Sequence, residues 1–142
     1  MTSLLDVNTL VALAWPNHVH HAAAVTWFRS HSKRGWATSP ITESGFVRVS
    51  SNRKVIPSAS TVGDAIAVLD GLRQQPGHQF WADDVSIAAC TEVDVSTLAG
   101  YRQVTDAHLL ALAIRNDGTL VTFDKAIRSL APTAKRVQLL SL

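Results

Sequence analysis

Apolar residues recur along the chain with two periods. Short apolar runs bounded by polar residues, at 3–7, 36–38, 78–82, 119–123 and 136–140, have the length and β-rich composition of strands. Longer stretches carry a helical repeat. One starts directly after the first run, at Asn8-Thr9. A second, Ala-rich stretch spans 18–34 and stops at Gly35, a fitting C-cap. A third opens with Ser39 as N-cap and Pro40 at the first helical position and runs to about residue 50. Val62, Ala65, Ile66, Leu69 and Leu72 trace the stripe of an amphipathic helix that Pro76-Gly77 ends. Asp83-Asp84 precedes an apolar stretch and reads as the cap of a short helix at 85–90. Residues 105–116 are apolar nearly all round, as in a helix buried between other elements, with Thr105 as its cap and Asp106 in its first turn. A further short helix follows Asp124. Strands alternating with helices predict an α/β fold: one domain over 1–142, with a central parallel sheet of about four to five strands, right-handed crossovers and helices on both faces.

Composition narrows the setting. A chain of 142 residues, 46% hydrophobic and 17% charged, can bury one core. No segment approaches the roughly 18 apolar residues of a membrane span, and the start, Met1-Thr2-Ser3-Leu4-Leu5-Asp6, lacks the basic region of a signal peptide. The expectation is a cytoplasmic protein with no membrane contact. Cys90 is the single cysteine, which excludes an internal disulfide and a CxxC motif. A net charge of +2 suits a polyanionic partner without demanding one. The basic residues gather in Arg29-Lys33-Arg34 and Arg48-Arg53-Lys54, the second group within the exposed connection at 51–58 or just before it.

Ligands of open α/β sheets bind beyond the carboxyl ends of the strands. Four acids have that address: Asp6 and Asp124 end strand runs, and Glu43 and Asp106 lie in first helical turns. Singly, Asp6, Asp106 and Asp124 also read as ordinary caps or dipole partners. Glu43 does not, because the capping-box partner of Ser39 is Thr42. Four carboxylates brought together need a cation, and an all-oxygen donor set favours Mg²⁺ or Mn²⁺. Such ions promote attack of water on phosphodiesters, so nucleic acid hydrolysis is the natural chemistry.

LLDVNTLVAL, SPITESGFVRVSSN, QVTDAHLLALA and LVTFDKAI, in this order and spacing, resemble PIN-domain nucleases, specifically the VapC-like ribonuclease toxins of prokaryotic toxin–antitoxin pairs. The resemblance spans essentially the whole chain. It implies a metal-dependent endoribonuclease whose four acids, Asp6, Glu43, Asp106 and Asp124, bind Mg²⁺ or Mn²⁺, with Asp6 and Asp106 the most direct ligands. Asn8, Thr105 and Thr122 match the polar positions that orient such acids. The family also implies a VapB-like antitoxin partner received by apolar surface between residues 9 and 50, an RNA substrate and homodimerisation. Arg48, Arg53 and Lys54 follow Glu43 and are candidate contacts to RNA phosphates.

Other constellations are weaker. His18, His20 and His21 lack further ligands for zinc. His108 stands about 200° round the helix from Asp106, which disfavours a dyad. Ser39 and Ser44 have no placed activating partners. Two rival functions stand beside the ribonuclease. An aspartyl-phosphate enzyme would need a second acid where Asn8 stands, or a phosphoacceptor at Asp83 or Asp84. A catalytically silent PIN-like module binding RNA or protein is the other.

Overall fold

The computed structural model describes residues 1–56 and 61–141. Five strands, β1 (Ser3–Leu5), β2 (Trp36–Thr38), β3 (His78–Phe80), β4 (Thr119–Thr122) and β5 (Val137–Leu139), pair in parallel in the order β3-β2-β1-β4-β5. Five α-helices join them: α1 (Val7–Ala14), α2 (His21–His31), α3 (Pro40–Ser50), α4 (Val62–Arg73) and α5 (Val104–Arg115). The α/β class, the parallel sheet and the helices on both faces are as the patterning predicts.

Period-two alternation explains the two layers. Leu4, Ala37 and Leu120 point into a core with Leu109, Leu110 and Ile127, on the α5 side. Their strand neighbours Leu5, Trp36 and Val121 point the opposite way, into a core with Leu10, Trp27, Phe46 and Leu69 from α1 to α4. Because both faces are covered, the central strands read as unbroken apolar runs rather than alternating ones. This is why three- and four-residue strands were visible in the sequence at all.

Strand order reverses beside β1: β2 follows it on one side and β4 adjoins it on the other. A parallel sheet opens a crevice at such a reversal, beyond the carboxyl ends. Asp6 leaves β1 there and caps α1, and Asp124 follows β4. Gly45 lets α3 lie directly on α1, since a Cβ at this position would press on the Val7 side chain. The starts of α1 and α3 are therefore neighbours at one edge of the sheet.

Several local expectations are corrected. Residues 85–90 form no helix; Asp83 closes an Asx turn onto the Val85 N–H at 3.1 Å while its carboxylate is drawn to His108. The second helix starts at His21 rather than His18, and Ser32–Arg34 tighten into a 3-10 turn that Gly35 ends at φ +108°. The N-cap of α5 is Gln103, so Thr105 lies inside the helix, exposed. On α4 only part of the apolar stripe is covered: Ala65 and Leu69 are buried, whereas Val62 and Ile66 are 55% and 51% exposed. Pro57 and Ser58 of the basic connection lie outside the described residues. Among the described residues no helix is long and apolar enough to cross a membrane.

Candidate functional site

Asp6 is the most constrained acid. It is 5% exposed, and both carboxylate oxygens are engaged: Oδ1 accepts from the Thr9 N–H at 2.8 Å and Oδ2 from the Thr122 hydroxyl at 2.6 Å. The first bond is the N-cap of α1 and the second reaches across from β4. The Thr122 hydroxyl also accepts from the Asp124 N–H at 3.0 Å, so one buried threonine ties both strand-end acids together. Thr122 is one of the three polar positions singled out in the sequence beside these acids. Asn8 and Thr105 are exposed.

Burial holds the Asp6 carboxyl above its ordinary pKa, against its hydrogen bonds to Thr122 and Thr9, and Asp124 adds a further upward push. Asp106, half-buried in the first turn of α5, is pushed up to about 6 by burial first and then by the charges of Asp6 and Asp124. These three acids therefore share one electrostatic neighbourhood. Asp124 is exposed at its rim, its Oδ1 accepting from the Ala126 N–H at 2.9 Å as an N-cap. Among the described residues no three His, Cys, Asp or Glu side chains stand close enough together to enclose a metal. Two carboxylates nevertheless suit Mg²⁺, which keeps several waters and takes one or two carboxylates plus substrate phosphate. The oxygen-only donors and the mutual repulsion that raises Asp106 fit a hard divalent cation.

Glu43, in the first turn of α3, occupies the same sheet edge. Its Oε2 accepts from the Thr38 hydroxyl at 2.6 Å and lies 3.5 Å from Nε of Arg73, the last residue of α4. Thr38 is fully buried at the end of β2, and His78 Nε2 on β3 lies 2.8 Å from the same hydroxyl. A hydroxyl has one proton, here given to the carboxylate, so the histidine must donate through Nε2–H. His78 is held below its ordinary pKa by burial and by Arg73, with Glu43 pulling it back up, which suits that neutral tautomer. The Arg73 guanidinium lies over the Phe80 ring, 5.4 Å from its centroid. The structure thus ties Asp6 and Asp124 through Thr122, leaves Asp106 within reach of their charge, and gives Glu43 partners of its own. Thr38→Val, which keeps volume and removes the hydroxyl, is expected to cost about 1.5–3 kcal/mol in urea denaturation, with Thr38→Ser restoring most of it.

Sequence reasoning missed Thr38, Arg73, His78 and Phe80. Thr38 and Phe80 do end strands, the very signal that singled out Asp6 and Asp124, but neither is an acid. Of the basic candidates, Arg48 lines a groove between α3 and α4 with Glu43, while Arg53 and Lys54 are exposed beyond the end of α3. Of the histidines, His20 stacks on Phe123 at 4.3 Å between ring centroids, and His21 Nδ1 lies 2.8 Å from the Ala12 carbonyl.

The PIN domain family model matches residues 3–131. The chain is 57% identical over 129 residues to Ribonuclease VapC38 of Mycobacterium tuberculosis, an alignment covering 91% of this chain and 89% of that protein. It is 54% identical over 127 residues to Ribonuclease VapC39 of the same organism, covering 89% and 91%, and 44% identical over the full length of both chains to Ribonuclease VapC44. Among solved structures, VapBC2 from Rickettsia felis, bound to a DNA fragment from its promoter, superposes with a TM-score of 0.69 at 15% identity, covering 99% of this chain and 100% of that one. That last likeness concerns the fold alone.

Proposed function

The chain belongs to the PIN-domain family, and from that premise we propose that it is a divalent-metal-dependent endoribonuclease, the toxin of a toxin–antitoxin pair. The observation that carries this reading is the buried Asp6 carboxylate, fixed by Thr9 and Thr122 at the carboxyl edge where strand order reverses, with Asp124 tied to the same Thr122 hydroxyl and Asp106 opening α5. Similarity to three proteins named ribonucleases supports RNA as the substrate.

Asp6 and Asp106 would hold Mg²⁺ or Mn²⁺, with Asp124 at the rim and Glu43 extending the acidic edge. A cation bound there supplies a Lewis acid for the phosphodiester and lowers the pKa of an attacking water. The chain's own part is orientation. Thr9 N–H and the Thr122 hydroxyl fix both oxygens of Asp6, which restricts its carboxylate to one direction. Asp106, with its pKa about 6, changes protonation just below neutrality, so its affinity for a cation rises with pH over roughly pH 5 to 7. A cognate VapB-like antitoxin, a homodimer and a cytoplasmic setting complete the proposal. Similarity to proteins named VapC is what favours that partner.

Attack by water, rather than by the ribose 2′-hydroxyl, leaves 5′-phosphate and 3′-hydroxyl ends. Mapping the ends of cleaved RNA tests this directly. Products that accept ligation through a 5′-phosphate are the expected result, and 2′,3′-cyclic phosphates would refute hydrolysis through the acidic site.

A further inference from the structure

Arg73 and Phe80 form a cluster for which the acidic trio has no use. The guanidinium approaches Glu43 with Nε 3.5 Å from Oε2, and that carboxylate is itself fixed by Thr38. Among the described residues neither Nη group has a hydrogen-bond partner, and the side chain is 41% exposed, open to a ligand. The guanidinium carbon lies over the Phe80 ring, 5.4 Å from its centroid, and that ring is 47% exposed. An arginine held beside a carboxylate and over an aromatic ring still has Nη donors to offer, and its planar fork suits a phosphate. An exposed aromatic ring beside it offers a face on which a base can stack.

The placement is specific. Thr38 and Phe80 are paired in register at the carboxyl ends of β2 and β3, the same edge that bears Asp6 on β1 and Asp124 after β4. With neighbouring strands about 4.8 Å apart, β3 stands about 10 Å from β1 along that edge. A single strand of RNA cut at the trio and crossing the ends of β1, β2 and β3 would meet Arg73 and Phe80 next. We propose that Arg73, oriented by Glu43 and Thr38, binds a phosphate of single-stranded RNA flanking the scissile bond, and that Phe80 stacks on the adjoining base. This subsite deepens the ribonuclease reading and rests on it. It also gives Glu43 a role: its carboxylate anchors the arginine that touches the substrate.

The test uses the full chain carrying Asp106→Asn, so that RNA is bound and not consumed, with a fluorescently labelled mixed-sequence single-stranded RNA followed by anisotropy across a salt series. Each phosphate contact to a single strand contributes about 0.7 to the slope of log affinity against log salt. Arg73→Gln is expected to weaken binding about tenfold and reduce the slope by about that amount, while Arg73→Lys keeps the slope. Phe80→Ala is expected to weaken binding at least about fivefold without changing the slope, and Phe80→Trp to restore it. A purely structural role for Arg73 would lower thermal stability and leave the slope untouched; an unchanged slope in Arg73→Gln, in a chain that binds RNA, overturns the subsite alone. If the Asp106→Asn parent shows no salt-dependent RNA binding and the unsubstituted chain cleaves none, the ribonuclease reading falls and the subsite with it.

Discussion

Asp106→Asn is expected to move stability and activity in opposite directions. The sign follows from linkage. The Asp106 carboxyl has a pKa of about 6 in the fold against an ordinary 3.8, so the folded chain holds this proton more tightly than the unfolded one. Its contribution to stability is therefore complete below about pH 4 and is lost as pH rises through about 6. Above that, an ionised Asp106 works against the charges of Asp6 and Asp124. Asparagine removes the charge with little change of shape. In EDTA at pH 7.5 the variant should melt roughly 3 °C above the parent, and the difference should vanish near pH 4. Saturating Mg²⁺ should reverse the order: the parent should gain about 5 °C or more and the variant little, because its ligand pair is incomplete. RNA cleavage by the variant should fall roughly hundredfold or more. Thermal scans with and without metal at two pH values check the stability half, and equal metal-induced shifts in both proteins would remove Asp106 from the metal site.

Gly77→Ala should be the most damaging single substitution outside the core. Gly77 has φ +87°, a conformation that costs any residue with a Cβ, and a Cβ there would overlap the Ser32 carbonyl oxygen, which is backbone and cannot step aside. Its own carbonyl accepts from the Trp36 N–H at 3.0 Å at the start of β2. Relief would displace β3, which carries His78 and Phe80, and the expected loss is about 3 kcal/mol or more. Gly71→Ala gives the contrasting case. Gly71 lies within α4 with nothing near the position of a Cβ, so alanine should stabilise by about 0.5–1 kcal/mol. Urea denaturation of the two variants should show opposite shifts of midpoint.

The parts of the fold legible in the sequence were those with one local cause. Leu4-Leu5, Trp36-Ala37 and Leu120-Val121 are buried on both faces, so apolar runs alone marked the central strands. Ser39, Pro40 and Thr42 fixed the start of α3, where the capping box is present as read. Asp6 and Asp124 stand out in the sequence because acids at strand ends contrast with an apolar background, and the structure places both at strand ends.

What the sequence hid depends on partners far along the chain. The stretch 85–90 has helical composition, yet it is held in an irregular path by contacts to α5. The Asp83 carboxylate meets His108 Nε2 at 2.8 Å, and Arg115 bonds the Asp84 carbonyl at 2.9 Å and Glu92 Oε1 at 3.1 Å. Those pairings span more than twenty residues and outweigh local propensity. The same reason concealed the surroundings of Glu43. The sequence marks it as an acid without a capping role, but Thr38 is five residues before it, Arg73 thirty and His78 thirty-five residues after it. The register of β2 with β3 brings His78 to Thr38, and the packing of α4 against α3 brings Arg73 to Glu43.

The central claim, that the acids at the reversal of the sheet make this chain a metal-dependent ribonuclease, is tested most directly by incubating the purified, partner-free chain with labelled total RNA. The arms are Mg²⁺, Mn²⁺, EDTA and the Asp106→Asn variant in metal. Discrete cleavage in metal, abolished by EDTA and by the substitution alike, is the predicted result. Cleavage that persists in EDTA or in the folded variant, or no cleavage in either metal, would contradict it.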